Sequence, residues 1–599
     1  MRFSALFITL LLSCFSNFIQ AQNGSHVGKE FWASFPHNSS MEIGAWFPTD
    51  TPKLSFVIYA EKQTNVILTI NGTDYKREFI VPANSYIRTA NMPIGVREIL
   101  GNSAYNAMLY TRPSGFLNGT NSEGIFKTHG IHIVSDEQVN VVQHLYKDAA
   151  SYSGTLIPVE FWGKKYKVLT PDQLINNRSA DDVSYLPRFA FVNIIAHLDN
   201  TKVKFVPTDT TRSGLLPNQP IYITLNKGEV YQSLANVSNG SKFLSNDFIG
   251  SVIESVENDK GEILPIGVTV GNGSGFIKCP ENNYNNGEPI YWENPLFQPL
   301  FPTLGWGYQF ITTPSIYVQN RVAVMNRNVF RVMPLESSAI VKRNGVVLSN
   351  FKNGYYEFIS DTPDFIESDV PAQLIQIFSS GNACSIKGNI DPAMVFITPM
   401  ENGIKYTRTF KYGLNYFENQ TLAITLHKNG ISSLKVDGKS PVDSSFYIID
   451  HPNIPSYSIV HKYLGYRPTQ NYYLKEMWEV TCDSAFNGIS YGMANGDAYL
   501  VNVGFQYKVE ENSNTCFLKT IKSGNISDPG IWNENRLPQP CDSVVVLHDI
   551  IIDINVKIKA FTIENGVKVT VSPNVTGFEI GYLWRKRLMN NLLEYNAST

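Results

Sequence analysis

Asn65-Val66-Ile67-Leu68-Thr69-Ile70-Asn71-Gly72 is the stretch whose reading decides the fold class. Val66, Leu68 and Ile70 fall on every second position, the period of a strand with one face in a core. Asn71-Gly72 then supplies two residues that tolerate the positive φ of a two-residue hairpin turn. The design recurs as Val203 and Phe205 with Lys202 and Lys204 on the opposite face, as Ile340-Val341 before Asn344-Gly345, and as Leu434 and Val436 before Asp437-Gly438. Upstream of each copy stands Gly, two residues, then an aromatic: Gly28 to Phe31, Gly163 to Tyr166, Gly307 to Phe310 and Gly403 to Tyr406. An aromatic strand follows, at Tyr86, Tyr231, Tyr355-Tyr356 and Phe446-Tyr447. A short apolar strand closes each copy, at Val139 to Val142, Ile266 to Val270, Leu374 to Ile377 and Tyr457 to Val460. Residues 28–508 therefore read as an all-β region of four related antiparallel modules, about 28–150, 151–290, 291–398 and 399–508. Such modules pack radially, as in propellers, or in line as tandem sandwiches. No linker-like stretch separates them, so one cooperative unit is expected, with the extra length in insertions such as Gly271 to Pro289.

Composition agrees with this class. The chain has 599 residues, of which 43% are hydrophobic, 12% aromatic and 17% charged, a balance that builds large cores and pleated sheets rather than disorder. A net charge of −3 implies no basic face, which excludes nucleic acid as the expected partner. The N-terminus reads as an export signal: Arg2, an apolar run from Phe3 to Leu12, then small and polar residues to Ala21, with no acid before Glu30. Cleavage after Ala21 would leave Gln22 as the new N-terminus, giving an extracellular or outer-membrane-surface protein. The alternative is a lipoprotein site at Cys14. No later stretch reaches the ~18 uninterrupted apolar residues of a membrane span. Of the cysteines Cys279, Cys384, Cys482, Cys516 and Cys541, none forms a Cys-x-x-Cys pair, so zinc and dithiol chemistry are not expected. Cys516 with Cys541 is the candidate disulfide in an oxidising compartment.

Four segments carry a family resemblance. They are Gly28-Lys-Glu-Phe31-Trp32-Ala-Ser-Phe35, Leu156-Ile-Pro158-Val-Glu-Phe-Trp-Gly163-Lys-Lys-Tyr166, Pro299-Leu-Phe-Pro302-Thr-Leu-Gly-Trp306-Gly307 and Asp391-Pro392-Ala-Met394-Val-Phe-Ile-Thr-Pro399. In this order and spacing the chain resembles the bacterial branch of the IgGFc-binding protein N-terminal domain family over roughly residues 28–508. The acidic pair which that family places before its Thr-x-Val strand is weak here, and the Glu-Gln after its last Pro reads Met400-Glu401-Asn402. The resemblance implies a secreted or surface-displayed binding or adhesion module and brings no catalytic residues or cofactor. It does not by itself carry antibody binding to this chain.

A second unit follows. Thr520 to Trp532, Pro538 and Asp542-Ser-Val-Val-Val-Leu547 are similar to the start of a β-solenoid module of large exported Bacteroidota proteins. Its rungs would be Val544 to Leu547, Ile550 to Ile554, Phe561 to Ile563 and Val567 to Val571, a solenoid-like fragment over 516–575. Residues 576–599 read as an irregular or helical tail, basic and amphipathic. A solenoid needs about three stacked repeats to bury its core. The chain is therefore expected to be truncated or frame-shifted relative to longer relatives, which leaves the export route past the outer membrane open.

Candidate chemistry is sparse. Gly488-Ile-Ser490-Tyr-Gly492 matches Gly-x-Ser-x-Gly, but a nucleophile elbow needs a strand, a strained turn and a helix. A β-turn is expected instead, and Ser490→Ala should be silent. His129, His132 and His144 form the densest histidine group, yet strand positions three apart face opposite ways. Gly271-Asn-Gly-Ser-Gly275 has no following Lys-Ser/Thr and reads as a loop. Asp181-Asp182 and Glu401 are undistinguished carboxylates for glycosidic chemistry, and Asp391 before Pro392 reads as a turn former. Tyr284 to Trp292 and Trp46-Phe47 are the candidates for exposed aromatic contacts, while most of these rings are expected to fill the sheets. The function expected is a non-catalytic adhesin-like protein recognising host or environmental glycoprotein or glycan ligands. A glycan-active enzyme and a structural spacer for a missing C-terminal module are the rivals.

Overall fold

The computed structural model describes residues 23–38, 52–97, 101–109, 123–147, 150–173, 189–236, 247–275, 277, 293–319, 322–381, 390–413, 417, 419–465, 475–508, 517–533, 537–538, 542–558, 560–564 and 566–580. Among them the chain is all-β: many antiparallel strands, short 3-10 turns and no α-helix. It forms two compact units, Met1–Val509 and Glu510–Thr599.

One wiring serves all four modules of the first unit. In module one the long strand Ile131–Lys147 belongs to two layers. Its first half pairs with the opening strand Val27–Ala33 and with Thr64–Ile70, the first arm of the Asn71-Gly72 hairpin. Its second half pairs with Lys53–Ala60 and with the last strand, Ala150–Thr155. A bulge between Val134 and Val139 separates the two halves, letting one strand turn from one layer into the other. Alternation follows directly, with Val66, Leu68, Ile70, Ile131 and Ile133 all buried. The long strands Phe365–Ile377 and Trp478–Ala494 repeat this wiring in modules three and four. In module two the long strand is split. Val252–Val256 takes the first role and Ile266–Gly275 the second.

Three register details depart from the sequence reading. Gly271 to Gly275 is the end of a paired strand, not a loop. Tyr457 to Val460 does not occupy the place of the three earlier closing strands: it pairs with Asn419–His427 in the role of the aromatic strand, while Phe486 to Met493 takes the long-strand position. The opening of module four is also slipped by one. Gly28 pairs with Val139 and Gly307 with Ala372, but it is Ile404 that pairs with the corresponding Phe486.

That slip has a packing cause. On leaving modules one to three, the chain passes a Pro over the module's own opening glycine. A Cβ on Gly28, Gly163 or Gly307 would overlap Pro158, Pro302 or Pro399 respectively. Two residues on, Glu160 and Glu401 accept the backbone N–H of Lys29 and Tyr308. In module four the two parts are exchanged: the bulk is Ile404 and the space is Gly504, whose absent Cβ leaves room for the Ile404 side chain. Gln506 there donates to Gly403 O at 2.6 Å. The strand Gln506–Lys508 then pairs with Asn23–Ser25, joining the end of module four to the beginning of module one.

The four last strands, Ala150–Thr155, Asn294–Pro299, Met394–Ile397 and Asp497–Asn502, pack each against the next, and the fourth against the first. The arrangement is radial. Gln298 binds them together: its Nε2 faces Ser153 O at 3.0 Å, Met394 O at 2.9 Å and Leu500 O at 3.3 Å, one carbonyl from each of the other three strands. Asn502 Nδ2 donates to Phe396 O at 2.9 Å, Thr155 Oγ1 to Asn502 O at 2.7 Å, and Ser151 Oγ to Asp497 Oδ2 at 2.6 Å. Asp391 is buried beside this end rather than sitting in a solvent-facing turn, and burial pushes its carboxyl well above the usual range, with Asp497 and Glu293 adding repulsion.

The second unit is built differently. Parallel ladders join Phe517–Lys519 to Ser543–Val546 to Ala560–Ile563, and Gly524–Asn525 to Ile550–Ile552 to Val569–Val571. A third joins Val556–Ile558 to Phe578–Ile580, a strand beyond Val575 where the sequence pattern stops. The four expected rungs are thus two sides of two successive coils. Leu518, Val544, Val546, Ile550 and Ile552 point into the core they share with Trp532.

Two outcomes are expected. Gly307→Ala places a methyl against the rigid Pro399 ring and should destabilise the first unit by about 1–3 kcal/mol, measured as a lower urea midpoint; an unchanged midpoint would refute the glycine–proline fit. Asp497, fully buried, has its carboxyl pushed up to about 7 by desolvation. A raised carboxyl favours folding while protonated, and that contribution is lost as pH rises from the unfolded value near 4 through about 7. Asp497→Asn should therefore gain stability relative to wild type between pH 5 and pH 8 in thermal melts.

Candidate functional site

The repeat supplies its own control, because a residue that three modules share serves the fold and a departure in one module does not. On the solvent face of the outer layer, Lys204 of module two pairs with Glu254, Lys342 of module three with Glu367, and Lys435 of module four with Thr481. The same position in module one is Ile67, paired with Val134. Ile67 and Val134 are 38% and 37% exposed, and Ile80 on the neighbouring strand is 63% exposed. An aliphatic pair, Ile67 with Val134, thus stands in water where the other modules pair a lysine with Glu254, Glu367 or Thr481, and Ile80 adds a third exposed aliphatic beside it.

Glu30, on the opening strand, lies directly across from Val134. Its Oε1 accepts from His132 Nε2 at 2.8 Å and from Trp32 Nε1 at 3.3 Å. A carboxylate can only accept, so Nε2 of His132 carries the proton. The Trp32 and His132 rings stack at 4.0 Å and 10°. The bond to His132 holds the Glu30 carboxyl below its usual value, with burial opposing. Modules two and three have Lys167 with Val252 and Ile311 with Phe365 in place of the Trp32–His132 pair. Nearby His197 meets Trp162 edge-on at 5.6 Å, and burial lowers its pKa. The result is a small apolar surface beside an ionised carboxylate held by a stacked Trp–His pair.

Among the described residues, no hydroxyl or thiol is bonded to His132, and no group of three or more His, Cys, Asp or Glu side chains could hold a metal ion. Ser490 lies in the middle of the strand Trp478–Ala494, paired on both sides, so Gly488 to Gly492 is neither an elbow nor a turn. Its hydroxyl donates to Phe410 O at 2.6 Å and accepts from Trp478 Nε1 at 3.1 Å. His129 precedes the long strand, whereas His132 is half-buried on it and His144 is buried against Phe410. The structure does not bring the three together at one site. Glu401 is used on the backbone of Tyr308. Cys482 is buried and free, its thiol donating to Gly430 O at 3.3 Å. Asp181-Asp182, Trp46-Phe47, Tyr284 to Trp292, Cys516 and Cys541 lie outside the described residues.

Sequence reasoning passed over Ile67, Val134 and Ile80. The signal was available: Lys204 had been read as facing water, and aligning the four hairpin strands sets Ile67 against three lysines.

Fold and site together define an all-β repeat scaffold whose first module displays an exposed aliphatic surface. A family model described as IgGFc binding protein matches residues 153–492, more than half of the chain, and the protein belongs to that family. No curated protein matches it. The match begins in the last strand of module one, so the surface around Ile67 lies outside it.

Ser490→Ala should not be silent, contrary to the sequence expectation. Two buried partners lose their hydrogen bond, at about 1–3 kcal/mol for each unsatisfied group. A urea midpoint equal to wild type would contradict this.

Proposed function

We propose that this is an exported, surface-exposed protein that binds a protein ligand, without catalysis, through the outer sheet of its first module. One observation carries the reading: the exposed pair Ile67–Val134 stands where the three sister modules have Lys204–Glu254, Lys342–Glu367 and Lys435–Thr481, with Ile80 exposed on the neighbouring strand. Clustered exposed aliphatics rimmed by charge are a recurring mark of interaction surfaces. The signal-like segment from Arg2 to Ala21 supports export, and membership of a binding family supports a protein partner. An immunoglobulin Fc is one candidate within that class. A glycan-cleaving role has little geometric support, since Asp391 and Asp497 are buried and Glu401 is held by backbone.

The fold itself suggests the variant for the test. Ile67→Lys with Val134→Thr installs the Lys435–Thr481 pair of module four at the same register and sets no second carboxylate opposite Glu30, so folding should be retained. The full chain, screened against host-protein and glycan arrays, is expected to bind a protein, and the double variant to bind it at least tenfold more weakly at an unchanged melting temperature. Binding that survives the exchange, or hits confined to glycans, would overturn the proposal.

A further inference from the structure

The exposed pair of module one belongs to a longer row. Directly opposed residues carry it across four neighbouring strands: Glu30 beside Val134, Val134 beside Ile67, and Ile67 beside Glu78. The corresponding row of module two is Lys165–Glu254–Lys204–Tyr222, and that of module three is Gln309–Glu367–Lys342–Val347. Module four has Tyr406–Thr481–Lys435. In modules two and three a carboxylate stands inside the row, next to a lysine. Module one inverts that order, with two aliphatics inside and a carboxylate at each end.

Both carboxylates are within reach of a partner. The Glu30 side chain is 36% exposed, and its bonds from His132 and Trp32 both end on Oε1. No hydrogen bond among the described residues reaches its Oε2, and Lys227 attracts the group only through space. The Glu78 side chain is 66% exposed, with Lys76 Nζ 2.5 Å from its Oε1. An ion pair so open to water holds little free energy and yields to a competing cation. Ile80, two residues along the same strand, widens the apolar centre.

Spacing selects the conformation of what fits. Neighbouring strands lie about 4.8 Å apart, so the three gaps from Glu30 to Glu78 span about 14 Å. In an extended segment, residues four apart are separated by about 13.5 Å and the residue midway between them faces the same way. A helix offers about 10.5 Å at seven residues and about 16.5 Å at eleven. We propose that the row binds an extended segment of a protein partner, laid across the four strands. One basic residue meets Glu30, an apolar residue two further on covers Val134 and Ile67, and a second basic residue meets Glu78. This rests on that surface being the binding site and adds the chemistry of the partner.

The probe is a synthetic peptide with Arg-Thr-Val-Thr-Arg between Gly-Ser flanks, titrated against the full chain by fluorescence anisotropy. It is expected to bind roughly tenfold more tightly than Glu-Thr-Val-Thr-Glu or Arg-Thr-Ser-Thr-Arg, and to weaken as salt rises from about 0.02 M to about 0.5 M. Arg-Thr-Val-Arg, with its cations three apart, should lose most of the affinity. Glu78→Gln removes an exposed carboxylate that the fold does not use, and should weaken the probe roughly fivefold at an unchanged melting temperature. Equal binding of the four peptides, or a probe affinity untouched by Glu78→Gln, would overturn the proposal. The binding surface itself would still stand if Ile67→Lys with Val134→Thr abolished capture of an array protein. Probe binding that survives that exchange would overturn both.

Discussion

The first unit depends on one arrangement: four strands from four modules meeting around the amide of Gln298. An amide nitrogen has two hydrogens, and here it faces three carbonyls, one on each of the other three strands. Such a group is stable in the interior only if its partners are in place, because an unpaired buried amide is costly. Gln298 therefore favours the radial packing over any arrangement in which the modules lie in line. The bonds among Thr155, Phe396 and Asn502, and between Ser151 and Asp497, extend the same requirement around the ring.

What lets each module reach that centre is the long strand shared by two layers. Its bulge turns the chain, so its first half carries the solvent-facing layer and its second half carries the inner strand. The outer layer is then free to vary without disturbing the axis. Module one uses that freedom, replacing a lysine by Ile67 and adding the Glu30–His132–Trp32 cluster. The variable surface and the shared axis are thus separated along a single strand: Val134 faces the solvent, and eight residues later Val142 is buried.

Much of the fold was legible. Period-two apolar positions and Asn-Gly turns identify strands and hairpins locally, and Asn344 and Asp437 do adopt positive φ, as do Gly72, Gly345 and Gly438. The misreadings share a cause. Gly271 to Gly275 and Gly488 to Gly492 look like loop or turn sequence, yet the former pairs within its sheet and the latter lies between two neighbouring strands. In the second of these a Cβ on Gly488 or Gly492 would strike Ala423 or Tyr499, so these glycines answer to neighbours distant in sequence rather than to a local turn. Ser490 was misjudged for the same reason, its partners Phe410 and Trp478 being invisible to a motif. The candidate surface was half legible, since the exposed lysine positions could be read but the comparison among modules needs the register.

By itself the sequence determined the all-β class, the fourfold recurrence of the opening glycines and hairpins, and the change of character after residue 508. These follow from backbone preference and side-chain alternation, which act over a few residues. Only the tertiary structure decided that the modules pack radially, that Ile404 and Gly504 exchange the parts played elsewhere by glycine and proline, and that Ile67 breaks a pattern its sisters keep. Those depend on which residues distant in sequence share a register or fill one another's space, and local chemistry carries no record of that.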